Sequence, residues 1–150
     1  MGCILSFNGP DADVAQLLAL SPVEPVRARR RGAPLISRPN SRLAVTSGIT
    51  LQISDAEFEE LEQQQADAIR FLHDHDQALQ AMRKVEGVES ACVDFGIAMR
   101  SVIVQSDTFP AELMAALAKL GCSMELTQYP TGPKARNLRR YRKAFRASAR

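Results

Sequence analysis

Leu43-Ala44-Val45-Thr46-Ser47-Gly48-Ile49-Thr50-Leu51-Gln52-Ile53, followed at once by Ser54-Asp55-Ala56-Glu57, is the stretch on which the fold turns. Leu43, Val45, Ile49, Leu51 and Ile53 fall on odd positions, so one face of an extended chain is apolar, which predicts a strand over residues 43–53. Ser47 interrupts the series beside Gly48, where a bulge is expected. Ser54 and Glu57 then stand at the capping-box spacing, in which hydroxyl and carboxylate each satisfy the other residue's free amide. A helix is predicted to begin there. Phe58, Leu61, Ile69, Leu72, Leu79, Met82 and Val85 recur every three or four residues, so it is expected to run to Gly87, with a bend or overhang at Gln65 or at His75-Asp76.

Towards the C-terminus, residues 88–95 and 99–105 read as two strands of a hairpin around Gly96, the second buried because Val102, Ile103 and Val104 are consecutive. Asp107-Thr108-Phe109-Pro110 opens a helix with Leu113, Ala116, Leu117 and Leu120 on one face and Gly121 as its stop, and residues 122–129 alternate as a last strand. Towards the N-terminus, residues 3–7 form a short apolar strand, and Asn8-Gly9-Pro10 turns into a helix with Asp11 and Asp13 in its first turn, closed by Ser21-Pro22. Residues 22–42 hold five prolines and glycines among arginines and read as a long irregular loop. The predicted class is α+β: an antiparallel or mixed sheet with helices on one face, built of ferredoxin-like β-α-β-β-α-β elements preceded by a β-α unit. Residues 1–130 form one domain and residues 131–150 a basic extension.

At 150 residues, 45% hydrophobic and 24% charged, the chain has ordinary globular composition, which excludes collagen, coiled coil and wholesale disorder. No apolar run approaches the roughly 18 to 20 residues of a membrane span, and no basic segment precedes an apolar one at the N-terminus, so the expected location is cytoplasmic, without a membrane. The net charge of +2 conceals a separation: residues 134–150 carry eight basic residues and no acid, residues 27–42 six arginines and no acid, and residues 55–94 eleven acids against three bases. An acidic centre flanked by basic segments serves solubility, self-docking or an external anionic partner alike, and composition does not choose between them.

The chemistry-bearing residues form no specific pattern. Cys3, Cys92 and Cys122 have no zinc spacing and read as small buried hydrophobes. In His73-Asp74-His75-Asp76, His73 and Asp76 share a helix face, whereas His73 and His75 point about 200° apart and do not engage one ion together. No phosphate loop, nucleophile elbow or His-Glu-x-x-His is present, so no catalytic residue, metal or cofactor is assigned. Met1-Gly2-Cys3-Ile4-Leu5-Ser6 matches the myristoylation template, but a strand beginning at Cys3 opposes it. A small-molecule enzyme would require Asp94, Arg100 or Tyr129 to converge on a deep pocket.

Phe7-Asn8-Gly9, Val14-Ala15-Gln16-Leu17-Leu18, Ser21-Pro22, Arg31-Gly32, Gly48-Ile49-Thr50-Leu51, the acidic helix, and Phe109-Pro110 through Tyr129 resemble, over residues 3–130, the bacterial family called domain of unknown function 4279. The chain departs from that family in its second strand, where Ile49 or Leu51 stands in place of a frequent aromatic. Some similar domains are regarded as candidate immunity proteins, so the resemblance implies binding of a toxin and offers no catalytic residue. The expectation is a non-enzymatic binding domain that contacts a basic protein partner through Glu59, Glu60 and Glu62. The alternative is a nucleic-acid-associated protein using Arg139, Arg140, Arg142 and Lys143, whose neighbours Tyr141 and Phe145 are suited to stacking on bases. Homo-oligomerisation is compatible with both.

Overall fold

The computed structural model describes residues 2–36 and 41–130. Its elements in chain order are β1 (Cys3–Gly9), α1 (Val14–Leu20), β2 (Arg27–Arg29), β3 (Ser47–Ser54), α2 (Leu61–Asp74), α3 (Asp76–Arg83), β4 (Ser90–Ala98), α4 (Ala111–Leu120) and β5 (Ser123–Tyr129). They make one five-stranded mixed sheet in the order β2-β3-β1-β4-β5, antiparallel except for the parallel pair β4/β5. The expected α+β class is thereby established.

The sheet divides its residues by parity. Cys3, Leu5 and Phe7 of β1, Ile49, Leu51 and Ile53 of β3, and Ala91, Val93 and Phe95 of β4 are buried in one core with Val14, Leu17, Ala68, Leu72, Leu79, Met82, Leu113 and Leu117 from the helices. All four helices thus cover a single face. The intervening residues, among them Ser6, Asn8, Thr50, Gln52, Cys92 and Asp94, are half-buried and point to the other face, where the Ser6 and Thr50 hydroxyls lie 3.1 Å apart and Arg29 donates to Asn8 Oδ1 at 2.8 Å.

The ferredoxin-like series is present but displaced by two elements. β1-α1-β2-β3-α2-β4, counting the broken helix once, has the β-α-β-β-α-β order with β1 between β3 and β4, and α4-β5 is appended after it. Two local departures cause the shift. Within the proline-rich stretch, Arg27–Arg29 pairs with β3 as a short edge strand, and Pro34 bridges Leu43. Residues 99–105 are not a strand: β4 already has β1 and β5 as neighbours, so they have no sheet position, and Val102, Ile103 and Val104 are exposed on the crossover that a parallel pair requires. That loop is held by Arg100, which donates to the Ser106 carbonyl at 2.9 Å and pairs with Asp107 at 2.5 Å.

The long helix is shorter and broken. Ser54 is the last residue of β3, paired with Cys3, and its hydroxyl accepts from the Ala56 amide at 3.1 Å, so the capping box with Glu57 does not form and α2 begins at Leu61. The break falls at His75 (φ −112°, ψ 16°), one of the two expected places. Gln65 is not the other: it is buried and donates to the Thr108 carbonyl at 2.8 Å. Nor is Gly48 a bulge. It pairs in register with Asn8, and a Cβ there would lie 2.1 Å from the Phe7 carbonyl, so glycine serves close approach; the irregularity lies between Cys3 and Ile4.

Candidate functional site

The connection from β3 to α2 carries the densest run of acids. Asp55, Glu57, Glu59, Glu60 and Glu62 are all exposed. Glu59 precedes the helix, Glu60 is its N-cap and Glu62 lies in its first turn, where the unpaired amides and positive dipole end favour carboxylates. Glu60 also accepts the Glu57 amide at 2.8 Å, which closes the turn leading into the helix. The three glutamates expected at a partner surface are therefore together and outward, at the start of a helix that begins some six residues later than the sequence predicts.

Beside this run lies an open groove of about 390 Å³ between β3 and α2, lined by Gln52, Ser54, Asp55, Asp67, Arg70, Phe71, Asp74 and His75 among others. Its geometry is organised around Asp67. The carboxylate accepts from the Ser54 hydroxyl at 2.7 Å and from Gln63 Nε2 at 2.8 Å, and it pairs with Arg70. Strand end and helix are thus tied through one acid. With three carboxylates and one guanidinium, the lining carries a net charge of −2 when His75 is neutral, and the Phe71 ring against His75 (centroids 4.5 Å) gives it an apolar flank. Such a lining suits a cationic side chain whose stem lies on the aromatic ring.

A second groove of about 230 Å³, between α2, α3 and α4, is crossed by Lys119 donating to Asp76 at 2.7 Å. That hydrogen bond is the main reason the Asp76 carboxyl is held below its usual range, and the pair clamps α3 to α4. The four residues His73 to Asp76 consequently diverge: His73 lies 3.4 Å from Asp74, His75 packs on Phe71 and Asp76 turns to Lys119. Among the described residues, no three His, Cys, Asp or Glu side chains are placed to share a metal ion.

The thiols are held in their neutral form. Cys3 is fully buried and its thiol pKa is raised, chiefly by desolvation; burial likewise raises Cys92 and pushes Cys122 up to about 12. Gly2 is buried too, and its carbonyl accepts from the Gly96 amide at 2.6 Å, so the segment that matches the acylation template is built into the fold. No described helix is long and apolar enough to cross a membrane.

Asp94, Arg100 and Tyr129 line neither groove. Arg100 is committed to its own loop, while Tyr129 stacks on Phe58 with centroids 4.4 Å apart. Arg139, Arg140, Arg142 and Lys143, with the whole extension 131–150, lie outside the described residues. Of the residues that shape the groove, Asp67 and Arg70 were not singled out from the sequence and Ser54 only as a helix cap, because their partnership joins a strand end to a helix thirteen residues on. Compared with family models, curated proteins and solved structures, the chain matches none.

Proposed function

We propose that the protein is a non-enzymatic binding domain whose acidic surface, Glu59, Glu60 and Glu62 together with the groove centred on Asp67, receives a cationic protein segment. The observation that supports this most is the continuity between five exposed carboxyl-bearing residues from Asp55 to Glu62 and a groove whose lining is itself net negative. Arginine or lysine side chains of a partner would meet carboxylates along the run and an aromatic flank at Phe71. The family resemblance makes a basic toxin domain the partner class, neutralised by occupation and not by chemistry, in the cytoplasm.

An arginine-rich peptide is the direct probe. Its binding, followed by fluorescence anisotropy, is expected to weaken steeply with salt, because exposed ion pairs are screened over about 10 Å at 0.1 M ionic strength. Reversing Glu59, Glu60 and Glu62 to lysine should weaken it by roughly tenfold or more, each exposed pair contributing about 0.2–1 kcal/mol and each reversal adding repulsion. Unchanged affinity after triple reversal would remove this surface from consideration.

The charge of residues 134–150 favours a second reading, in which Arg139, Arg140, Arg142 and Lys143 neutralise phosphates. Each duplex phosphate contacted would contribute about 0.9 to the salt slope. Deleting residues 134–150 separates the two: peptide binding survives the deletion under the first reading, and duplex DNA binding is lost under the second.

A further inference from the structure

We propose that the outer edge of β5 pairs with the same edge of a second copy of this chain, antiparallel and two-fold symmetric about Leu126. β5 is the terminal strand, bonded along seven residues to β4 on its inner side, and no described strand pairs with its outer side. Its backbone alternation leaves a row of amides and carbonyls directed outward, a template for another strand.

The two edges of the sheet are defended unequally. β2 is three residues long, carries Arg27 and Arg29, and is approached through Pro22 and Pro25, all features that blunt an edge. β5 is Ser123-Met124-Glu125-Leu126-Thr127-Gln128-Tyr129, with no proline, no lysine and no bulge in its pairing with β4. The segment leading into β5 exposes apolar side chains. Met99, Val102, Ile103, Val104 and Met114 all belong to the crossover from β4 to β5, and they are five of the eleven large hydrophobic side chains left exposed among the described residues. The Met99 amide donates to the Tyr129 carbonyl at 2.8 Å, which extends the β4/β5 ladder by one bond on the inner side of β5.

The occupant is a second copy because the strand is complementary to itself. With Leu126 opposite Leu126 of the other copy, Glu125 faces Thr127, Met124 faces Gln128 and Ser123 faces Tyr129, so the one charge of the strand stands directly across from a hydroxyl and has its like only on the diagonal. The result is a continuous ten-stranded sheet. This edge is separated from the acidic groove by β1 and β4 in the sheet order, so the inference stands independently of the partner proposed above.

Sedimentation equilibrium of the full chain tests it, with a concentration-dependent dimer expected. Thr127→Glu would set a carboxylate against Glu125 of the other copy twice per dimer, whereas Thr127→Lys would set two lysines against the same two glutamates. The first should raise the dissociation constant by roughly fivefold or more and the second lower it by a similar factor. Opposite responses at one position distinguish pairing from damage to the fold, which far-UV circular dichroism checks in both variants. A chain that stays monomeric at near-millimolar concentration overturns the proposal. So does a dimer that responds equally to both substitutions, or to neither, since its interface is then another surface such as the β2 edge.

Discussion

Gln64 donates through Nε2 at 2.8 Å to the carbonyl of Gly96, joining the first turn of α2 to β4 across the end of the core. The same amide also donates to the Glu57 carbonyl at 2.8 Å, so one fully buried polar side chain holds the helix, the strand and the acidic connection in place. Replacement by leucine keeps the volume and removes both bonds. Two carbonyls would lose their partner in a water-poor site, and a loss of about 2–4 kcal/mol is expected from urea unfolding. The substitution should also loosen residues 55–60, seen as faster amide exchange there than in β1.

Gly96 is where Phe58 crosses to the polar side of the sheet. A Cβ at this position would lie 2.9 Å from the Phe58 ring and 3.1 Å from the Gly2 carbonyl. Gly96→Val should therefore displace Phe58 from its stack on Tyr129 and cost roughly 1–3 kcal/mol through overpacking. The displacement would be read from the chemical shifts of the Tyr129 ring.

The clamp between Lys119 and Asp76 has a defined pH signature. Because Lys119 lowers the Asp76 carboxyl from its ordinary 3.8, the unfolded chain takes up this proton at a higher pH than the folded one. The stabilisation is thus complete above about pH 4 and disappears as pH falls through the lower folded value. Lys119→Met should be less stable than the parent at neutral pH, and the two should converge on acidification below that range, as followed by thermal unfolding.

The exposed triplet on the β4–β5 crossover and a core strand respond unequally to truncation. Ile103→Ser removes a side chain that is wholly exposed in the single chain and should change unfolding free energy by less than about 0.5 kcal/mol at monomeric concentrations. Val93→Ala, at a buried position of β4, should cost roughly 1–3 kcal/mol. Equal losses would mean that residues 102–104 are packed.

Cys122 gives a chemical check on burial. With its thiol pushed up to about 12, almost no thiolate exists at neutral pH, and alkylation by iodoacetamide should be slow until the chain is unfolded. Rapid labelling of Cys122 in the native chain would contradict the packing beneath the start of β5.

Legibility followed the range of each interaction. Periods and stops are local: the alternation of residues 49–53, the stripe Leu113-Leu117-Leu120 and the stop at Gly121 were all readable, because burial of one face dictates them residue by residue. Glu59, Glu60 and Glu62 were legible as an exposed acidic group for the same reason. Gln64 and Gln65 were not, since a glutamine on an apolar stripe is satisfied only by carbonyls brought from elsewhere in the fold. The groove at Asp67 likewise exists only once β3 and α2 lie side by side.

By itself the sequence determined that this chain is α+β, where most of its strands and helices lie, and how its charge is divided, because these depend on composition and on the two short periods of polypeptide geometry. Only the tertiary structure decided which strands pair. Arg27–Arg29 became a strand because β3 had an open side, and Val102-Ile103-Val104 did not because both sides of β4 were taken. Strand propensity is realised only where a neighbour supplies the missing hydrogen bonds, and that neighbour is chosen by the whole fold.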